Sequence, residues 1–89
     1  MTSRTTKRFR DALAGLPKDI RRQARESYKL FRDNPLHPSL RFKKVHTTEP
    51  VYAARISIDY RALCYVDGEE AIWFWIGSHA EYNKLLAQL

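Results

Sequence analysis

A single cysteine, Cys64, and only three glycines in 89 residues set the first limits on this chain. One thiol cannot close an internal disulfide, so the chain is not a disulfide-stapled scaffold, and Cys64 reads as a small hydrophobe in a strand of a protein from a reducing cytosol. The glycines form no phosphate-cradling loop, and no serine elbow or pair of carboxylates at strand ends is visible. No apolar run approaches the roughly 20 residues that cross a bilayer, and nothing has the layout of a signal peptide, so a cytoplasmic protein with no membrane partner is expected. His37, His46 and His79 have no metal-ligand spacing, so neither metal nor cofactor is expected.

Acidic residues are scarce over most of the chain. Residues 1–61 carry 15 Lys/Arg against 6 Asp/Glu, whereas residues 62–89 carry one lysine against 4 acids, within a total of +6. Such asymmetry points to a polyanionic partner, either nucleic acid or an acidic protein segment. The alternative for Arg21, Arg22, Arg25, Lys29 and Arg32 is a solvated helix face.

The length fits a single domain over residues 1–89 with one modest core. Thr5 to Ala14 reads as a helix ending at Gly15. Pro17 opens a second, whose Ile20, Ala24, Tyr28 and Phe31 form an apolar stripe and which stops at Asn34-Pro35. After this αα-hairpin the period changes to two. Strands are predicted over Leu40 to Val45, Val51 to Ile58, Tyr60 to Val66 and Ala71 to Gly77, with a hairpin turn at Asp67-Gly68. Alternation puts Tyr52, Ala54, Ile56, Ile58, Tyr60, Ala62, Cys64, Val66, Ile72, Phe74 and Ile76 under the helices. It puts Arg55, Ser57, Arg61, Leu63, Tyr65, Trp73 and Trp75 on the other face. A final amphipathic helix (Tyr82, Leu85, Leu86, Leu89) partly covers that second face, and Thr2 to Thr6 admit a short N-terminal edge strand. The fold class is α+β, with an N-terminal αα-hairpin packed on a four-stranded antiparallel meander and a short C-terminal helix.

The stretch Ile76-Gly77-Ser78-His79-Ala80-Glu81-Tyr82 carries the most chemistry. An imidazole at the mouth of a sheet titrates near neutral pH and serves as acid or base, and the glycine allows a close approach of backbone and ligand. The plain alternative is a capping box, Ser78 with Glu81, at a strand-to-helix junction. Arg55 and Arg61 fall on neighbouring strands and the same face, where two guanidinium forks match phosphate oxygens. Arg41, Lys43 and Lys44 add positive charge, or serve only to protect a sheet edge. Tyr65, Trp73 and Trp75 either stack on bases or fill the core. Tyr82, one turn after His79, either sets its hydroxyl beside the imidazole or packs the helix on the sheet.

Leu40-Arg41-Phe42-Lys43, Tyr52-Ala53-Ala54-Arg55-Ile56, Asp59-Tyr60-Arg61-Ala62-Leu63 and the Gly-x-His stretch, in this order, resemble the RelE/ParE superfamily of bacterial toxin–antitoxin toxins. The resemblance covers residues 5–89. It implies a small α+β toxin of a type II module, neutralised by a cognate antitoxin. It further implies a metal-independent endoribonuclease with mRNA, the ribosome or both as partners, often cleaving in the ribosomal A site, through attack of the 2′-hydroxyl on the adjacent phosphate. In that reading His79, Arg55, Arg61 and Tyr82 are catalytic, and Arg41, Lys43, Lys44, Arg55 and Arg61 hold nucleic acid. Where RelE has a second lysine this chain has Ala53. ParE members, which poison DNA gyrase, share the fold without a fixed catalytic set, so a non-catalytic binder is the other reading.

Overall fold

The computed structural model describes residues 1–88. Along the chain run β1 (Thr2–Thr5), α1 (Lys7–Ala14), α2 (Lys18–Asp33), a 3₁₀ turn (Pro38–Leu40), β2 (Lys43–Lys44), β3 (Val51–Ser57), β4 (Tyr60–Asp67), β5 (Glu70–Ser78) and α3 (His79–Ala87). The sheet order is β1-β5-β4-β3-β2, with β1 parallel to β5 and the other neighbours antiparallel. The α+β arrangement is the expected one, enlarged by β1 to a five-stranded mixed sheet. Among the described residues no helix is long and apolar enough to cross a membrane.

Local chemistry sets the boundaries. Thr5, expected in α1, instead pairs with Trp73 in β1, and Thr6 caps the helix by accepting from the Phe9 amide at 3.1 Å. Pro17 is the residue before α2 rather than its first, and the helix ends where the Asn34 amide meets the Leu30 carbonyl at 2.7 Å. The strand expected over Leu40 to Val45 shrinks to Lys43–Lys44. Upstream, His37 Nδ1 caps the 3₁₀ turn by accepting from the Ser39 amide, and Arg41 follows in the left-handed region at φ 47°, so the chain bends before it can pair. In the β4–β5 hairpin Gly68 takes φ +61° at the first of two loop residues, the pattern of a type II′ turn.

The helices cover the two sheet faces unequally. Under α1 and α2 lies the main core, with Phe9, Phe31, Leu40, Ala54, Ala62, Cys64, Trp73 and Ile76. Phe31 meets Trp73 and Phe42 edge to face at 5.2 and 5.0 Å, and full burial of such a ring is worth about 2–3 kcal/mol. The second core, under α3, joins Val51, Ala53, Leu63 and Tyr82 with Phe74, Trp75, Leu85 and Leu86. Leu89, expected on the same stripe, lies outside the described residues.

Five side-chain assignments, in three places, are corrected. The first concerns Trp73 and Phe74, which exchange faces: Leu63 pairs with Trp75 but Cys64 with Trp73, so Phe74 is an extra residue in β5 and the alternation changes phase there. Trp73 therefore enters the α1/α2 core, its indole N–H donating to Ser3 Oγ at 3.2 Å, while Phe74 packs toward α3. The phase change also takes Ile72, paired with Tyr65, off the face covered by α1 and α2. Next, Tyr28 is 47% exposed, and its neighbour Ser27 is buried instead, donating to the Ile56 carbonyl at 3.3 Å. Finally, Ile58 is 70% exposed at the tip of the β3–β4 turn, beyond the reach of either helix layer.

Candidate functional site

At the end of β5, sequence and geometry combine into a tight junction. The Ser78 hydroxyl accepts from the Glu81 amide at 3.1 Å, and Glu81 Oε1 accepts from the Ser78 amide at 3.1 Å and its hydroxyl at 2.9 Å. Those bonds to the charged form hold the Glu81 carboxyl below the usual carboxylate range. The capping box is therefore present, and His79 is the first helical residue. Gly77 is required by the protein itself rather than by a ligand: a Cβ there would lie 2.7 Å from the Trp75 ring.

The junction does more than cap a helix. A cleft of about 140 Å³ opens on the α3 side of the sheet, lined by Arg41, Lys43, Arg55, Arg61, His79 and Tyr82 over a floor that includes Ala53. Arg55 and Arg61 sit directly opposite each other on β3 and β4, where like charges repel. Burial first, and then the Arg55 charge, lower the Arg61 pKa, with Arg41 acting in the same direction and Tyr82 and Asp59 against it. His79 is exposed at the rim, its ring centroid 6.0 Å from that of Tyr82. Tyr82 is buried against Trp75, and that burial raises its hydroxyl pKa, so the phenol stays protonated at neutral pH.

The cations of the cleft lack counter-charges. The ion pairs of the described residues join Arg4 to Glu70, Lys7 to Asp11, Lys29 to Glu26 and Arg32 to Asp33, and none involves Arg41, Lys43, Arg55 or Arg61. Lys44 does not join them, because it pairs with Tyr52, on the opposite face from Lys43 and its partner Ala53. Trp73 is sealed in the core and Trp75 packs on Tyr82, while Tyr65 is exposed and donates to Glu49. His46 closes the β2–β3 loop, its Nδ1 accepting from the Glu49 amide at 2.9 Å. A larger hollow of about 360 Å³ lies between α1, α2 and the sheet, but its walls are mostly apolar, with Phe9, Leu13, Phe31 and Trp73 among them, and it holds no convergent acid or base.

Residues 18–84 match the family described as the ParE-like toxin domain, three quarters of the chain. The chain belongs to the ParE-like toxin family. Among solved structures, this ParE-like chain is similar to the toxin of the RelB–RelE antitoxin–toxin complex of Methanococcus jannaschii, at 19% identity and a TM-score of 0.74, covering 92% of this chain and 96% of that one. YafQ of E. coli matches at 12% identity and a TM-score of 0.72, over 90% of this chain and 94% of its own. The archaeal RelE–RelB complex of Pyrococcus horikoshii matches at 22% and 0.70, over 86% and 92%. At these identities the likeness establishes the RelE-like fold. No curated protein matches the chain.

Two features of the ParE-like cleft carry no signal in the sequence. Arg41 adopts a left-handed backbone that its residue type does not favour, and the Asp59 carbonyl accepts from the His79 amide at 2.6 Å.

Proposed function

We propose that this ParE-like chain is the toxin of a type II toxin–antitoxin module and acts as a metal-independent endoribonuclease on mRNA at the ribosome, with a cognate antitoxin as its protein partner. One observation supports this above the rest: four cations without carboxylate partners converge on a cleft that also holds an imidazole. The cleft lining contains no carboxylate or thiol, so its donor set suits a phosphate better than a divalent cation.

In the reaction that fits, the substrate's 2′-hydroxyl oxygen bonds to the adjacent phosphorus and the bond from phosphorus to the 5′-oxygen breaks. The products are a 2′,3′-cyclic phosphate and a free 5′-hydroxyl. His79 takes the proton from the attacking hydroxyl, and the protonated Tyr82 phenol donates one toward the leaving oxygen. Arg55 and Arg61 stabilise the charge that builds on the phosphorane oxygens, and Arg41 and Lys43 hold the flanking backbone. Cleavage assays on translating ribosomes and on free RNA test this. His79→Ala is expected to slow cleavage by about 10²–10⁴ while leaving the fold intact, and an undiminished rate would remove the mechanism. The second reading is a non-catalytic binder, either a gyrase inhibitor or an inert homologue that binds only its antitoxin, in which the Ser78–Glu81 capping box is the whole purpose of the junction. Gyrase inhibition by a chain that cleaves no RNA would establish it.

A further inference from the structure

We propose that Arg61 is a positioning residue for His79, acting through the β3–β4 turn. The inference rests on the cleft reading above and divides the work between the two arginines. Ser57 and Tyr60 pair across a two-residue connection, Ile58 and Asp59, so the carbonyls from 57 to 60 crowd one hairpin end. Arg61 Nη1 collects three of them, lying 2.7 Å from the Ser57 oxygen, 3.0 Å from that of Tyr60 and 3.3 Å from that of Ile58. The remaining one, on Asp59, accepts the His79 amide at 2.6 Å.

The physical consequence follows from the two ends of this relay. Converging carbonyl dipoles repel one another, and a cationic nitrogen among them makes charge-assisted hydrogen bonds that fix the turn in one shape. The His79 N–H is one of the first-turn donors of α3 that have no partner within the helix, so the turn supplies what the helix cannot. Strand β5 delivers His79 to the cleft covalently, and the Asp59 carbonyl sets its height against β3 and β4. The Arg55 side chain, across the ladder, makes no hydrogen bond among the described residues, so all of its guanidinium donors are free where it lines the cleft. One nitrogen of Arg61 is committed to the turn, leaving Nε and Nη2 for the cleft.

Amide hydrogen exchange of the free protein, followed by NMR, tests this without any need for RNA cleavage, so an inert protein leaves the test standing. Rates at His79 are read against those at Leu63, deep in the sheet, to separate a local effect from global unfolding. Arg61→Ala should speed exchange at the His79 amide by about tenfold or more relative to Leu63. Arg55→Ala, which removes the same charge from the cleft, should change it less than about twofold and should cause the larger loss of inorganic phosphate binding. Arg61→Lys, which keeps a cationic donor near the turn, should restore part of the protection. Parental protection of His79 in Arg61→Ala, or equal acceleration in both alanine variants, would overturn the proposal. If Arg61→Ala does not fold, Arg61→Gln takes its place, and parental protection there overturns it equally.

Discussion

Replacing Gly77 by alanine isolates the packing on which the α3 junction depends. Its backbone needs no positive φ, so the cost arises from space alone. The new methyl would sit 2.7 and 2.8 Å from Cζ2 and Cη2 of Trp75 and 3.3 Å from Glu81 Oε1. The indole cannot simply retreat, because Tyr82 and the rest of the α3 core stand against it. Overpacking of this kind costs about 1–3 kcal/mol. Pushing Glu81 out of its capping box adds about 0.5–2 kcal/mol. A total of about 1.5–5 kcal/mol lowers the melting temperature by roughly 6–40 °C in a domain of this size. The matched control is Gly15→Ala: nothing lies closer than 3.6 Å to the added carbon, φ is −84°, and the loss of unfolded-chain freedom should stabilise by about 0.4–1 kcal/mol. Urea and thermal unfolding of both variants suffice. If Gly77→Ala proves as stable as Gly15→Ala, the close fit of Trp75 under the junction is refuted.

Two further outcomes can be checked with the same material. Arg41→Gly relieves a left-handed backbone and should raise stability by up to about 1 kcal/mol while weakening RNA binding, and a loss of stability in urea titration would contradict this account of Arg41. Burial pushes the Cys64 thiol up to about 12, so a disulfide reagent at pH 8 should label it only on unfolding. Because the folded value lies above the unfolded one, its contribution to stability is complete below the ordinary thiol range and is lost as the pH rises toward 12, and rapid labelling at pH 8 would show the core to be open.

Most of the architecture was legible because its signals are periodic. The helical period of α2, the alternating strands from Val51 onward and the Asp67-Gly68 turn each have a direct physical cause, and all three reappear in the structure. Arg55 opposite Arg61 followed from alternation as well. The Phe74 bulge did not, since one inserted residue leaves no compositional trace and Trp, Phe and Trp are equally at home on either face. A similar limit hid the bend at Arg41, because the bend depends on Leu40 and Phe42 both being anchored in the distant α2-side core. Tyr28 misled for the opposite reason: its place on the stripe was correct in period, but a half-exposed ring at the edge of the groove satisfies the helix equally well.

The parallel pairing of β1 with β5 also governs when the molecule can exist. Thr2 bonds to Glu69, 67 residues further along the chain, so the first strand has no lasting partner until β5 has been synthesised. At about 5–20 residues per second that wait is roughly 3–13 s, during which a nascent chain can form its helical hairpin but cannot complete its sheet. His79 comes later still, on the far side of β5. The cleft therefore assembles only after the helical hairpin and β3 and β4 have been followed by β5 and the start of α3.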